Sequence, residues 1–460
     1  MKKTAVSNNY GWRRYQQNLN KSKRINFIFR RILFISGAGF VCFVLCIGAF
    51  FAFEAGYLFF TGTSGAPEAS IERTKLKPAD IKTTADIKVT DVLPKKNYRD
   101  CLSDISINKF LTDEQVNVSF EDDAFLIATS LYPDLQNEIT KLLAKSLTSH
   151  AAAVVIDAFD GKVYALSEYK KEDDSEKHLG LKADFPAASL FKIITAAAAL
   201  EVTGLSHDSE LFYDGGQYTL YKKQLKQAKS KWSDKIIFGH AFAQSVNPVF
   251  GKIGIYEVGK NTLFNYACAF LFNNEIPFDF PVDTSFCELP DDEFAVAEIA
   301  SGFNKRTKIS PLHAAMLSSA VVNGGYLIKP RLIDTVSDRE GKKLEESNTV
   351  ILGSVMKMQT ASELSKFMED TVKIGTCRNT LKKLTRKRTF SNISVGAKTG
   401  SINSSDGTIR YDWVTCYAVD KNNKSGICVA VLAGHGEKIG IRASELARII
   451  IDKYYLINNS

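Results

Sequence analysis

Near residue 150 the chain reads AAAVVIDAFDGKVYALSEY, two apolar runs split by Asp160-Gly161. Asp-Gly between such runs is a strong hairpin signal, because a tight turn needs residues that tolerate positive φ. Three more strand-like runs come near the end, ISVGAKTGSI, DWVTCYAV and GICVAVLAGHG, and the amphipathic helix pattern SELARIIIDKYYLI follows them. Two strands, a long and mostly helical insertion, three strands and a terminal helix imply one antiparallel sheet. Helices cover its faces, and the insertion forms a separate helical lobe. The expected class is therefore α/β, of the α+β type.

Two further helices are legible. DLQNEITKLLAKSL, from Asp134 to Leu147, has apolar residues at helical spacing. SPLHAAMLSSAVVNGG has Ser310 as N-cap, Pro311 at the first helical position and Gly324 past the end.

The net charge of +8 is a property of one end. Residues 1–31 carry nine Lys and Arg and no acid, which leaves 50 basic against 51 acidic residues elsewhere. No nucleic-acid-binding domain is implied. Ile32 to Phe53 then runs 22 residues without a charge, enough at about 1.5 Å per residue to span a hydrocarbon core of roughly 30 Å. The basic flank places the N-terminus in the cytoplasm and the rest outside, at a cell (inner) membrane. A cleaved signal peptide is the rival reading, but the run exceeds the usual apolar stretch of about 7–15 residues. The expected organisation is a basic tail (1–31), a transmembrane helix (32–53), a linker and small stalk-like region of unknown role (54–125), and a large C-terminal domain (126–460).

Of eight cysteines, Cys101, Cys268, Cys287, Cys377, Cys416 and Cys428 would lie outside the membrane, where disulfides are permitted. Cys416 with Cys428 and Cys268 with Cys287 are candidate pairs, although six cysteines allow fifteen connectivities. Histidines and cysteines show no close ligand spacing, so neither a metal nor another cofactor is expected. His435, in AGHG, reads as a turn residue for which no acid partner can be named. Trp413 reads as core.

Three short motifs occur in order: Ser189-Leu-Phe-Lys192, then Ser245-Val-Asn247, then Lys398-Thr-Gly-Ser401. Each alone is weak, and Ser354-Val-Met-Lys357 repeats the first by chance, with no Ser-x-N between it and Lys398. Lys398-Thr-Gly occurs once, on an expected strand. A serine hydroxyl needs a base or a lowered pKa to attack an amide. At i and i+3 on one helix face Lys192 can reach Ser189 Oγ, with Pro186 helping to start that helix. The helix dipole favours negative charge near Ser189. Lys192 is a base only when neutral, and Lys398 is the obvious cation to lower its pKa.

In order, spacing and context these motifs resemble those of penicillin-binding proteins and serine β-lactamases. The resemblance to the membrane-anchored transpeptidase domain extends over roughly residues 125–450. ATSLYPDLQNEI, AVVIDAFDGKVYAL, AFAQSVNPVFGKIG, SPLHAAMLSSAVVNGG, IGTCRNTL and VGAKTGS…DWVTCYAV carry it. It implies the β-lactamase/transpeptidase-like fold with a five-stranded antiparallel sheet. It also implies a peptidoglycan D,D-transpeptidase that cleaves D-Ala-D-Ala stem peptides through an acyl-Ser189 and is trapped by penicillin and other β-lactams.

By the same resemblance Ser245 relays a proton to the leaving amine, and Asn247 orients Lys192 and holds the substrate amide. Thr399 and Ser401 bind the terminal carboxylate, and the backbone N–H groups of Ser189 and Ser401 form the oxyanion hole. Gly400, lacking Cβ, permits close approach. Partners would include a glycan-strand glycosyltransferase and the division or elongation machinery. The 72 residues between membrane and catalytic domain, 54–125, are too few for a glycosyltransferase, and no Arg-Gly entry motif is present. A D,D-carboxypeptidase is the nearest rival, and a non-enzymatic β-lactam sensor or cell-wall scaffold is a rival of another class. A β-lactamase is disfavoured because no E-x-x-L-N stretch lies between Ser245 and Lys398.

Overall fold

The computed structural model describes residues 105–120, 123–171, 178–421 and 425–458. The expected span Ile32–Phe53, with Cys42, Cys46 and Cys101, lies outside the described residues. Among the described residues no helix is long and apolar enough to cross a membrane.

A hairpin of β1 (Gln115–Phe120) and β2 (Asp123–Thr129) comes first, so residue 125 falls inside a strand. Upstream of it Phe110 and Val118 are buried in the main core. Helix α1 (Pro133–Ala144) starts with proline at its first position, where a missing N–H costs nothing. The expected hairpin follows as β3 (His150–Asp157) and β4 (Val163–Lys170), with Gly161 at φ +79° in the turn. Two-residue strand β5 (Phe185–Pro186) precedes a 3₁₀ turn, Ala188–Phe191, and α2 (Lys192–Val202). Hairpin β6 (Glu210–Tyr213) and β7 (Asp234–Ile237) leads into α3 (Phe238–Ala243) and α4 (Asn247–Lys252). The lobe is completed by α5 (Lys260–Ala269) and α6 (Glu293–Ala300).

Strand β8 (Lys308–Ile309) pairs with β5, and α7 (Pro311–Val322) is capped as the sequence implies, Ser310 accepting from the His313 N–H. Then come β9 (Tyr326–Ile328), β10 (Ile333–Ser337), β11 (Lys343–Glu346), β12 (Ile351–Ser354) and α8 (Met358–Lys373). The three expected C-terminal strands are β13 (Ile393–Asn403), β14 (Arg410–Asp420) and β15 (Gly426–His435), closed by α9 (Ala443–Ile457).

The central sheet has five antiparallel strands in the order β13-β14-β15-β3-β4, which leaves β13 at one end. Alternation divides its side chains between two cores. Ala152, Val154, Ile156, Cys428, Ala430 and Leu432 face the lobe, with α2 and α7. Ala151, Ala153, Val155, Val429 and Val431 face α1 and α9, meeting Leu135, Ile139, Leu446 and Ile450. Burial on both faces explains why β15 reads as an uninterrupted apolar run. Each buried Val, Leu or Ile contributes about 1.5–3 kcal/mol. A second sheet, β1-β2-β10-β11, is unannounced in the sequence because it joins short strands far apart along the chain.

The cysteine pairs are a correction. Cys268, Cys287, Cys377, Cys416 and Cys428 are all free thiols. Cys416 is opposite Val429, and Cys428 opposite Tyr417, so the two are one position out of register. Successive positions point to opposite faces, which puts Cys416 in one core and Cys428 in the other. Trp413 is core, as expected, and its indole N–H donates to the Pro186 carbonyl at 2.9 Å.

Candidate active site

Ser189 lies on the 3₁₀ turn ahead of α2, and the α-helix begins only at Lys192. Pro186 does not start it, as the sequence suggested; it is held in β5 against Lys308. A 3₁₀ turn has three residues per turn and eclipses i with i+3. Lys192 Nζ consequently stands 2.8 Å from Ser189 Oγ. Ala188, just before, is at φ +48°, a costly conformation for a residue with a Cβ. The alanines of α2, Ala196 to Ala199, are fully buried and let the helix pack closely on all sides.

Lys192 is completely buried. Its amine also reaches Asn247 Oδ1, at 2.8 Å, and the Ser301 carbonyl. Asn247 presents oxygen because its Nδ2 donates to the Tyr218 carbonyl at 3.1 Å. Two acceptor-only neighbours therefore take two N–H bonds, and the third tetrahedral position faces Ser189. In the neutral amine that position is the lone pair, aimed at the serine hydroxyl. Burial, then the charge of Lys398, pushes the Lys192 pKa well below its ordinary value.

Ser245 sits between α3 and α4 and accepts from Lys398 Nζ at 3.0 Å. Lys398, also completely buried, donates to the Thr399 carbonyl at 2.8 Å as well. Burial lowers its pKa to about 7. Each amine lies 5.4 Å from an aromatic centroid, Lys192 from Phe250 and Lys398 from Phe242. Such ring faces favour a cation where water is excluded.

Gly400 lies where β13 passes the serine turn. A Cβ there would stand 3.1 Å from both the Ser189 backbone nitrogen and Ala188 Cβ. All eight sequence-chosen residues thus converge around the end of the sheet. Thr399 and Ser401 do so with their hydroxyls already engaged, Thr399 with Thr376 Oγ1 at 2.6 Å and Ser401 with Asp412 Oδ1 at 2.8 Å. The decoy does not join them. Ser354 closes β12, bonded to the Met356 carbonyl at 3.1 Å.

Sequence reasoning missed the Ser301 carbonyl, Thr376 and Asp412. A backbone carbonyl has no residue-type signature. Gly302 is the only local mark, at φ +66° and with a would-be Cβ 1.9 Å from the Ala188 oxygen. His435 is also corrected. It is buried at the end of β15, its Nε2 3.9 Å from Asp412 Oδ2, so an acid does face it. Burial pushes the Asp412 carboxyl upward, but His435, Arg442, Ser401 and the Ala443 N–H together bring it below the usual range.

A half-buried serine paired with a buried lysine, an Asn-bearing second element and a lysine strand at the sheet's end define a serine acyltransferase type of site. Residues 151–452 match the penicillin binding protein transpeptidase domain, and the chain belongs to that family, whose members are typically serine acyltransferases. It is 25% identical over 279 residues to stage V sporulation protein D of Bacillus subtilis, covering 58% of this chain and 42% of that protein. Over 285 residues it is 23% identical to peptidoglycan D,D-transpeptidase PbpA of Mycobacterium tuberculosis, covering 58% of this chain and 54% of that protein. The chain thus spans about half the length of these curated relatives.

Among solved structures, the D,D-transpeptidase domain of a peptidoglycan glycosyltransferase from Eggerthella lenta superposes with a TM-score of 0.59 at 19% identity. That match covers 77% of this chain and 86% of that one. Penicillin-binding protein A of Mycobacterium tuberculosis, solved as an imipenem acyl-enzyme complex, gives 0.58 at 20% identity, over 71% and 79%. These two likenesses show a shared fold.

Proposed function

We propose that this protein is a peptidoglycan D,D-transpeptidase that cross-links stem peptides through an acyl-Ser189 intermediate. The observation that carries this is the Lys192 amine, buried and held by two acceptors so that its remaining position meets Ser189 Oγ at 2.8 Å. In the first half-reaction Lys192 takes the hydroxyl proton and Oγ attacks the carbonyl of the D-Ala-D-Ala bond. The backbone N–H groups of Ser189 and Ser401 would receive the oxyanion. Collapse breaks the C–N bond, and the proton returns to the leaving D-Ala amine through Ser245, which the Lys398 cation polarises. In the second half the amine of a neighbouring stem peptide attacks the ester, and Ser189 recovers its proton. A β-lactam would acylate Ser189 by the same first step, but its leaving amine stays tethered by the ring. With Ile32–Phe53 as an uncleaved anchor, the catalytic domain would work outside the cytoplasmic membrane, beside a glycan-strand glycosyltransferase and the division or elongation machinery.

Fluorescent penicillin tests the reading. Stable labelling of the folded protein, lost in Ser189→Ala, supports it, and absence of labelling sinks it. Rapid release of the label would point to a β-lactamase. Product analysis with stem peptide and an amine acceptor then separates cross-linking from the trimming of a carboxypeptidase.

A further inference from the structure

Thr399 and Ser401 are the hydroxyls that the resemblance assigns to the substrate carboxylate, yet their proton inventories differ. Ser401 Oγ lies 2.8 Å from Asp412 Oδ1. A carboxylate only accepts, so the Ser401 proton points at Asp412 and its lone pairs face outward. Asp412 is buried, and its second oxygen takes the Ala443 N–H at 3.0 Å and approaches Arg442 Nε at 3.3 Å. These donors hold it as an anion. A substrate carboxylate brought against Ser401 would therefore meet acceptor with acceptor, beside a second negative charge.

The other pair keeps a proton to donate, and the Cys377 thiol that meets the Thr376 hydroxyl is only a weak acceptor for it. Thr399 Oγ1 and Thr376 Oγ1 are 2.6 Å apart. Two hydroxyls carry two protons and their mutual bond uses one, so one remains whichever way that bond runs. Thr376 is solvent-exposed, and its position is set by backbone rather than by side-chain packing. Its N–H donates to the Ala243 carbonyl at 3.1 Å, and the Gly375 N–H donates to the Asp370 carbonyl at 2.9 Å. Gly375 packs so closely that a Cβ there would stand 2.2 Å from the Ala243 oxygen. Ala243 ends α3, two residues before Ser245. One turn therefore ties the Ser245 element to β13 and presents a hydroxyl at their junction.

We propose that Thr376 is a substrate-binding residue. The Thr376–Thr399 pair donates to the terminal carboxylate of the stem peptide or penicillin. Ser401, its proton held by Asp412, instead accepts an N–H from the substrate. This rests on the acyl-Ser189 reading above.

The test compares second-order acylation rate constants for benzylpenicillin and for its methyl ester, which lacks the anionic carboxylate. Wild type, Thr376→Val, Thr376→Ser and Ser401→Ala are measured side by side. Thr376→Val still leaves the Thr399 proton free to donate, so Thr399→Val and the double variant Thr376→Val/Thr399→Val are measured beside it. A charge-assisted hydrogen bond is roughly twice as strong as a neutral one, so the double variant should have an acid-to-ester rate ratio roughly tenfold below that of Thr399→Val. Thr376→Ser should keep the ratio, and Ser401→Ala should change both rates by one factor. Equal ratios in the double variant and in Thr399→Val, or a collapsed ratio in Ser401→Ala, overturns the assignment. Should Thr376→Val fail to fold, Thr376→Cys carries the same comparison with a weak donor in place. A wild-type protein that no penicillin labels would instead defeat the Ser189 reading itself, so the two failures are distinguishable.

Discussion

Lys398 Nζ stands 3.0 Å from Ser245 Oγ, and Ser245 reaches that point through a left-handed backbone at φ 59°. Outside glycine that conformation is uncommon and costs on the order of 1 kcal/mol. Position and hydroxyl are thus separable. Ser245→Ala and Ser245→Gly should lose acylation to the same extent, about a hundredfold, while the glycine variant melts about 1–2 °C higher than the alanine variant. Equal melting temperatures would contradict a strained Ser245.

The two buried lysines set the pH dependence. On the proposed mechanism acylation needs Lys192 neutral and Lys398 charged, so its rate should be bell-shaped. The rising limb follows proton loss at Lys192, and the falling limb is centred at about 7, where Lys398 deprotonates. Both limbs belong to the coupled pair. Lys398→Met removes the cation that helps depress Lys192, so the rising limb should move to higher pH and the rate at neutral pH should fall.

Stability should run the other way. Lys398 has a folded pKa near 7 against an ordinary 10.5, so between these values the unfolded chain binds more protons. Stability then rises with pH across that window and falls as pH drops through it. Lys398→Met should flatten the rise and be the more stable protein at pH 6. Thermal melts of both proteins from pH 6 to 9.5 check the sign.

Asn247 offers Lys192 a neutral acceptor at 2.8 Å. Asn247→Asp would place an anion there, raise the Lys192 pKa and turn the lone pair into a third N–H. Penicillin acylation at pH 7 should fall by at least about a hundredfold. Asn247→Ala, which only frees the amine, should fall less. The reverse order would argue against Lys192 as base.

Gly302 has φ +66°, and a Cβ there would meet the Ala188 oxygen at 1.9 Å. Gly302→Ala should displace the Ser301 carbonyl from Lys192 and cost about 2–4 kcal/mol, seen as a large drop in melting temperature together with lost labelling. By contrast, Trp413→Phe forfeits one buried bond to the Pro186 carbonyl, about 1–3 kcal/mol, with labelling retained.

The sheet and the three motifs were legible because each had local support. Asp160-Gly161 marks its own turn, β15 is apolar throughout, and Lys398-Thr-Gly occurs once, on a strand. What escaped depends on register or backbone. Cys416 and Cys428 flank a turn, but which face each takes depends on a one-residue offset invisible in composition. Asp412 and His435 meet only because β14 and β15 pair as they do, Arg410 opposite His435. Pro186 looked like a helix start, yet its pairing with Lys308 won, and that partner lies far along the chain.

Strand β13 ends the sheet, and one stretch of it, Lys398 to Ser401, lies beside the Ser189 turn. An edge strand is ordinarily a hazard, since its outward peptide groups can recruit another chain. In the proposed function that hazard would be turned to use. An extended stem peptide laid along that margin would be a temporary sixth strand, recognised by main-chain hydrogen bonds before any side chain is read. Occupancy of this site is then a small act of folding, and a bound acyl group should make the sheet harder to unzip.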